Sequence, residues 1–302
     1  MILSISNLNK KYQNHVALNN INIDIPKGII FGLLGPNGAG KTSLIRILTQ
    51  ITEADSGQIL FNETPLEPKH IRAMGYLPEE RGLYKKMQVA DQLLYLAELK
   101  GLSKQEAKTR LKYWVDKFEI KSWLNKKVEE LSKGMQQKIQ FIGTVLHEPE
   151  IIILDEPFSG FDPINAQLLT DEILLLKEKG ATIIFSTHRM DSVELLCDQI
   201  ALINLAEKIL DGNVPDLKER FKKNQFELSF TGQINLENLP LEMVSVVQKN
   251  DLNIALVKAK ELMSNKQMIQ LLLNTDINLI SFAEKLPSME EIFIEAVQQK
   301  NN

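Results

Sequence analysis

The sequence predicts an α/β protein built on a parallel sheet, with a helical insertion and a small α+β domain at the C-terminal end. Three observations carry that prediction. The apolar run Ile29-Ile30-Phe31-Gly32-Leu33-Leu34 passes straight into a glycine-rich turn and then a helical stretch. A second run, Ile151-Ile152-Ile153-Leu154, ends in two adjacent acids, Asp155 and Glu156. Such strands, buried on both faces and alternating with helices, mark parallel sheets. The chain's 302 residues also exceed the roughly 250 at which a single hydrophobic core stops growing, so a second domain is expected.

Taken in order, Ile2-Leu3-Ser4-Ile5 and Ile21-Asn22-Ile23-Asp24-Ile25 alternate apolar and polar residues, the period of half-buried strands in an antiparallel sheet. A helix is expected over 41–49, and short strands over 58–61 and 73–77. The texture turns helical between Val89 and Leu146, with Leu93, Leu94, Leu96 and Leu99 read as one apolar cluster and Ser103 with Glu106 as a capping box. The α/β pattern returns with the strand at 151–154, a helix opened by Asp162-Pro163, and strands at 181–185 and 199–203. After Gly212 the motifs stop, and Phe226-Glu227-Leu228-Ser229-Phe230 alternates as a new strand would. The expected boundary lies near residue 218, giving domains 1–218 (helical subdomain about 85–146) and 219–302. The tail should end in a helix capped reciprocally by Ser288 and Glu291.

Composition excludes several classes. With 44% hydrophobic and 25% charged residues the chain is neither disordered nor collagen-like, and its apolar runs fall far short of the ~20 residues that cross a bilayer. The start, Met1-Ile2-Leu3-Ser4, lacks the basic and long apolar regions of a secretory signal, so a cytoplasmic location is expected. One cysteine, Cys197, allows no internal disulfide and reads as core packing. A net charge of −4 gives no support for nucleic-acid binding, and no nucleic-acid partner is expected.

Gly35-Pro36-Asn37-Gly38-Ala39-Gly40-Lys41-Thr42, followed by Ser43, matches the phosphate-binding P-loop pattern and sits between a buried strand and a helix, as the motif requires. Its backbone N–H groups can converge on phosphate oxygens. Lys41 reaches the β/γ-phosphates, and the Thr42 hydroxyl suits Mg²⁺. Asp155-Glu156 at the end of the second apolar strand has the form of a Walker B segment, with Asp155 for Mg²⁺ and Glu156 to polarise the attacking water. Two acids at a strand tip are by themselves more often solvated; the P-loop in the same chain shifts the balance.

The ordered set of this P-loop, Leu131-Ser132-Lys133-Gly134-Met135, the Walker B segment, Ser159-Gly160-Phe161-Asp162 and Thr187-His188 resembles an ABC transporter ATPase over roughly residues 1–218. That resemblance implies an ABC cassette: a RecA-like core, an antiparallel β subdomain and a helical subdomain. The segment Leu77-Pro78-Glu79-Glu80-Arg81-Gly82-Leu83-Tyr84 and the extra C-terminal domain are similar to single-cassette ATPases of ABC-2 type exporters, including sodium-efflux and drug-efflux systems. It further implies that Tyr12 stacks on adenine, that Ser132 and Gly134 touch the γ-phosphate held by a second subunit, and that His188 contacts the γ-phosphate. Glu79 stands where the family carries a glutamine near Mg²⁺ and the γ-phosphate. Lys133 and Met135 depart from the family's Leu-Ser-Gly-Gly-Gln form. ATP and Mg²⁺ are the implied cofactors, and the implied partners are a second cassette in a homodimer and a separate transmembrane permease at the inner face of the cell membrane. The alternative is a cassette ATPase acting on ribosomes or DNA without a permease. Against it stand a single P-loop and the lack of a long heptad array.

Overall fold

The computed structural model describes residues 1–80, 82–236, 239–261 and 263–301. Arg81, part of the exporter-like segment 77–84, lies outside the described residues. The contacts divide the chain into two units, Met1–Val214 with Ala296–Asn302, and Pro215–Glu295.

The first unit opens with β1 (Leu3–Tyr12) and β2 (His15–Ile25), whose alternating side chains pair antiparallel. Next come β3 (Ile30–Leu34), buried at every position, and α1 (Lys41–Leu48), which starts directly at the P-loop lysine. β4 (Ser56–Phe61) and β5 (Thr64–Pro65) complete a four-stranded antiparallel sheet in the order β2-β1-β4-β5. After β6 (Met74–Leu77) the helical insertion follows as α2 (Val89–Leu99), α3 (Lys104–Lys117) and α4 (Lys133–Val145). Ser103 and Glu106 form the expected capping box, with Ser103 N–H donating to the Glu106 carboxylate at 2.8 Å. The Leu93 to Leu99 cluster is corrected: α2 buries Val89, Gln92, Leu93 and Ala97, while Leu99 is 57% exposed. Spacing of four residues, not leucine content, sets the buried stripe.

The chain then returns to the core with β7 (Ile151–Asp155), α5 (Pro163–Glu178), β8 (Thr182–Thr187), α6 (Met190–Leu196), β9 (Gln199–Asn204) and β10 (Glu207–Asn213), and this stretch ends at Val214, from which α7 (Val214–Arg220) runs on in the second unit. The sheet order is β10-β9-β3-β8-β7-β6, parallel from β9 to β6, with β10 added antiparallel. Asp162 caps α5 ahead of Pro163, accepting from Asn165 N–H at 3.0 Å. Cys197 is buried, as its reading requires, and burial pushes its thiol pKa up. No helix among the described residues is long and apolar enough to cross a membrane.

The second unit is a four-stranded antiparallel sheet of β11 (Gln225–Thr231), β12 (Leu241–Lys249), β13 (Leu252–Ala259) and, after α8 (Asn265–Leu273), β14 (Asn278–Lys285), in the order β12-β13-β11-β14. Phe226, Leu228 and Phe230 of β11 point to one side and pack with Ala255, Val257, Met268 and Leu272 in a core of their own. α9 (Met289–Asn301), which belongs to this unit as far as Glu295, begins at the predicted cap, where Ser288 N–H donates to Glu291 at 2.9 Å and Glu291 N–H to Ser288 Oγ at 3.2 Å.

Candidate active site

The parallel sheet builds this site because β3, β7 and β8 all end on the same edge. Strands buried on both faces can expose polar groups only at their tips, and the tips here are Gly35, Asp155-Glu156 and Thr187-His188. One cavity of about 340 Å³ is lined by Asn37, Gly38, Gly40, Lys41, Thr42, Ser43, Glu79, Asp155, Glu156 and His188, together with His15 and Ala17.

The loop's shape depends on two glycines. A Cβ on Gly35 would sit 2.1 Å from the Ile203 carbonyl oxygen, and one on Gly40 2.3 Å from that of Ala17. Both have positive φ, 146° and 118°, so a side chain would meet a clash and strain together. Lys41 is buried, its ammonium donating to the Gly35 carbonyl at 2.7 Å and to that of Pro36 at 3.1 Å. Burial lowers its pKa, and the nearby Glu156, Asp155 and Glu79 carboxylates oppose that shift.

Across the cavity Asp155 is 4% exposed. Burial raises its pKa; Glu79 and Glu156 add to the rise, while the Ser186 hydroxyl and Lys41 work against it. Glu156 occupies the left-handed region at φ 49°, an outlier for a non-glycine residue that turns its carboxylate back onto β8. There Thr187 Oγ1 donates to Oε2 at 3.1 Å, and His188 N–H donates to Oε1 at 2.9 Å. His188 Nδ1 lies 2.6 Å from the same Oε1. The two residues assigned catalytic roles from the sequence therefore form a bonded pair.

Thr42, Asp155 and Glu79 present a hydroxyl and two carboxylates, hard oxygen donors. No group of three or more His, Cys, Asp or Glu residues among the described residues is arranged to hold a metal alone.

Other sequence candidates lie elsewhere. Ala39 is buried in the loop between Gly38 and Gly40. Tyr12 does not line the cavity; it is 38% exposed, has the Lys10 ammonium 5.3 Å from its ring centre, and pairs across β1 and β2 with His15, which does. Ser132 caps α4 through Oγ, which accepts from Met135 N–H at 3.3 Å; neither it nor Gly134 lines this cavity. His15, left without a role by the sequence reading, and Thr187, noted only beside His188, are the additions.

Residues 18–159 match the ABC transporter family, and residues 212–297 match the family described as ATP-binding protein DrrA1-3-like, C-terminal domain. An uncharacterized ABC transporter ATP-binding protein, YhaQ of Bacillus subtilis, is 47% identical over 74% of this chain and 75% of its own length. The linearmycin resistance ATP-binding protein LnrL of the same organism is 30% identical over 97% of both chains. A solved ATP-binding subunit of an ABC transporter, 30% identical, superposes with a TM-score of 0.69 over 73% of this chain and 93% of that one. The chain belongs to the ABC transporter family, as one of its ATP-binding, ATP-hydrolysing cassettes.

Proposed function

We propose that this protein is the energising subunit of an ABC exporter: two copies close around two ATP molecules, and hydrolysis reopens them to drive a separate permease at the inner face of the cell membrane. The convergence of Lys41, Thr42, Glu79, Asp155, Glu156 and His188 on one cavity carries the reading. Within it, Lys41 and the loop amides bind the β- and γ-phosphates, and Glu156 takes the proton of the water that attacks the γ-phosphorus as ADP leaves. His188 holds Glu156 and reaches the γ-phosphate. Mg²⁺ would neutralise charge on the phosphates, held by Thr42, Asp155 and Glu79. Tyr12, beside His15, supplies the adenine face. Ser132 and Gly134 do not line this cavity, and in a homodimer the second copy would bring them to the γ-phosphate. The residues 219–302 form an accessory domain, and likeness to a resistance ATPase over nearly the whole chain supports export. Lys41→Ala tests the phosphate site: titration calorimetry should show ATP affinity down by about a hundredfold or more, since a desolvated charge-assisted contact is lost. Wild-type affinity in that variant would refute the site.

A further inference from the structure

The hairpin joining β9 to β10 turns on two residues, Leu205 and Ala206, between the paired Asn204 and Glu207. Both are left-handed, at φ 47° and 67°. Two-residue hairpins of this kind favour Asn-Gly, because a Cβ is strained there. Burial does not compensate at Leu205, which is 79% exposed. A turn so poorly matched to its sequence persists only where its surroundings hold it.

What holds it is the phosphate loop and its neighbour strand. Ala206 N–H donates to the Ala39 carbonyl at 3.1 Å, and the Ala206 carbonyl accepts from Asn19 N–H of β2 at 2.7 Å. The preceding strand approaches the other end of the loop, where the Ile203 carbonyl leaves room only for a hydrogen on Gly35. Ala39 C=O and Gly40 N–H belong to one trans peptide plane and point in opposite directions. A donor fixed on the carbonyl therefore fixes the direction of the Gly40 N–H, and Gly40 borders the cavity. We infer that Ala206 is a positioning residue of the nucleotide site: its left-handed backbone aims an N–H at Ala39 and so presets the Gly40 amide for a phosphate oxygen.

This rests on the phosphate-loop reading above, and the experiment separates the two. Replacing the Ala206 amide by an ester in the full-length protein removes that donor and keeps the side chain. Calorimetry should then show ATP and ADP binding weaker by about tenfold, with kcat at saturating ATP within about twofold of wild type and the melting temperature little changed. Leu205→Asn, which suits the left-handed turn and keeps the N–H, should raise the melting temperature and leave nucleotide affinity as it is. Unchanged affinity in the ester protein, or a loss that follows a fall in melting temperature, would overturn the inference. Lys41→Ala measured alongside assigns a failure: if it too binds ATP normally, the phosphate loop is misassigned and the inference falls with it.

Discussion

The two sheets of this molecule use their residues in opposite ways. In the first unit β3, β7 and β8 are buried at every position, so the chain between strand ends carries no polar chemistry and the tips carry all of it. In the second unit β11 alternates, hiding Phe226, Leu228 and Phe230 while Glu227 faces solvent, and β12 is exposed along most of its length. A sheet covered on both faces gathers reactive groups at one edge; a sheet covered on one face spreads its polar groups over the other. Catalysis should therefore be sensitive to single atoms in the first unit and indifferent to packing losses in the second.

The largest expected effect is at the tip of β7. Glu156→Gln keeps the side-chain volume but loses the basic oxygen that would take a proton, so kcat should fall by about 10²–10⁴ while ATP still binds. The variant should then accumulate as a closed dimer with Mg-ATP on size exclusion. Near-normal turnover would break the comparison at its most specific point.

The matching change in the second unit is Phe226→Ala. Phe226 is fully buried and stacks on Phe282 with ring centres 5.5 Å apart, so its removal should cost that unit about 3–5 kcal/mol. Differential scanning calorimetry should show an early transition for the second unit, with the KM for ATP unchanged in the isolated protein. A parallel loss of ATP affinity would mean that the C-terminal unit is needed for the nucleotide site.

How much of this was legible in the sequence follows the same division. The strand tips, Ser103 with Glu106, Asp162-Pro163 and Ser288 with Glu291 are local signals, and the structure contains each of them as read. In the second unit only β11 and α9 were read. Ser264 with Gln267 at the start of α8 is a capping pair of the same kind and was overlooked. β12 gave no signal because a largely exposed strand need not alternate in burial. Leu99 was misjudged because four leucines in α2 exceed what its buried face holds, and Gln92 takes a buried place by accepting from Tyr84 N–H at 3.1 Å. His15 was missed because its relevance comes from the β1–β2 hairpin approaching the P-loop, a long-range contact that spacing does not encode.

Within the first unit, His147 should set acid sensitivity. Its Nε2–H donates to the Met74 carbonyl at 3.1 Å, and its Nδ1 is buried without a partner. Burial, helped by the Lys100 and Arg110 charges and opposed by the Met74 bond, pushes its pKa down to about 4 from 6.5. Between those values the unfolded chain binds the proton and the folded one does not. The stabilisation is therefore complete above pH 6.5 and drains away as pH falls toward 4, by about 3 kcal/mol in all. Urea titrations across that range should show the slope in the wild type and a flatter curve in His147→Gln. An equal slope in both would place the acid sensitivity elsewhere.

The smallest effect is expected at Glu79, where the site's chemistry is most finely balanced. Its carboxylate shares the cavity with Asp155 and Glu156, and its charge acts on both Asp155 and Lys41. A glutamate can draw Mg²⁺ toward the site, yet it repels the phosphates that bring the cation; glutamine keeps an oxygen and removes the repulsion. The two effects oppose each other, so Glu79→Gln should keep kcat within about fivefold while shifting the Mg²⁺ concentration at half-maximal rate upward. Glu79→Ala, which removes the oxygen altogether, should lose more of both. Titrating Mg²⁺ against ATPase rate distinguishes the cases. Curves that superimpose for wild type and both variants would remove Glu79 from the metal's surroundings and leave Thr42 and Asp155 as its protein ligands.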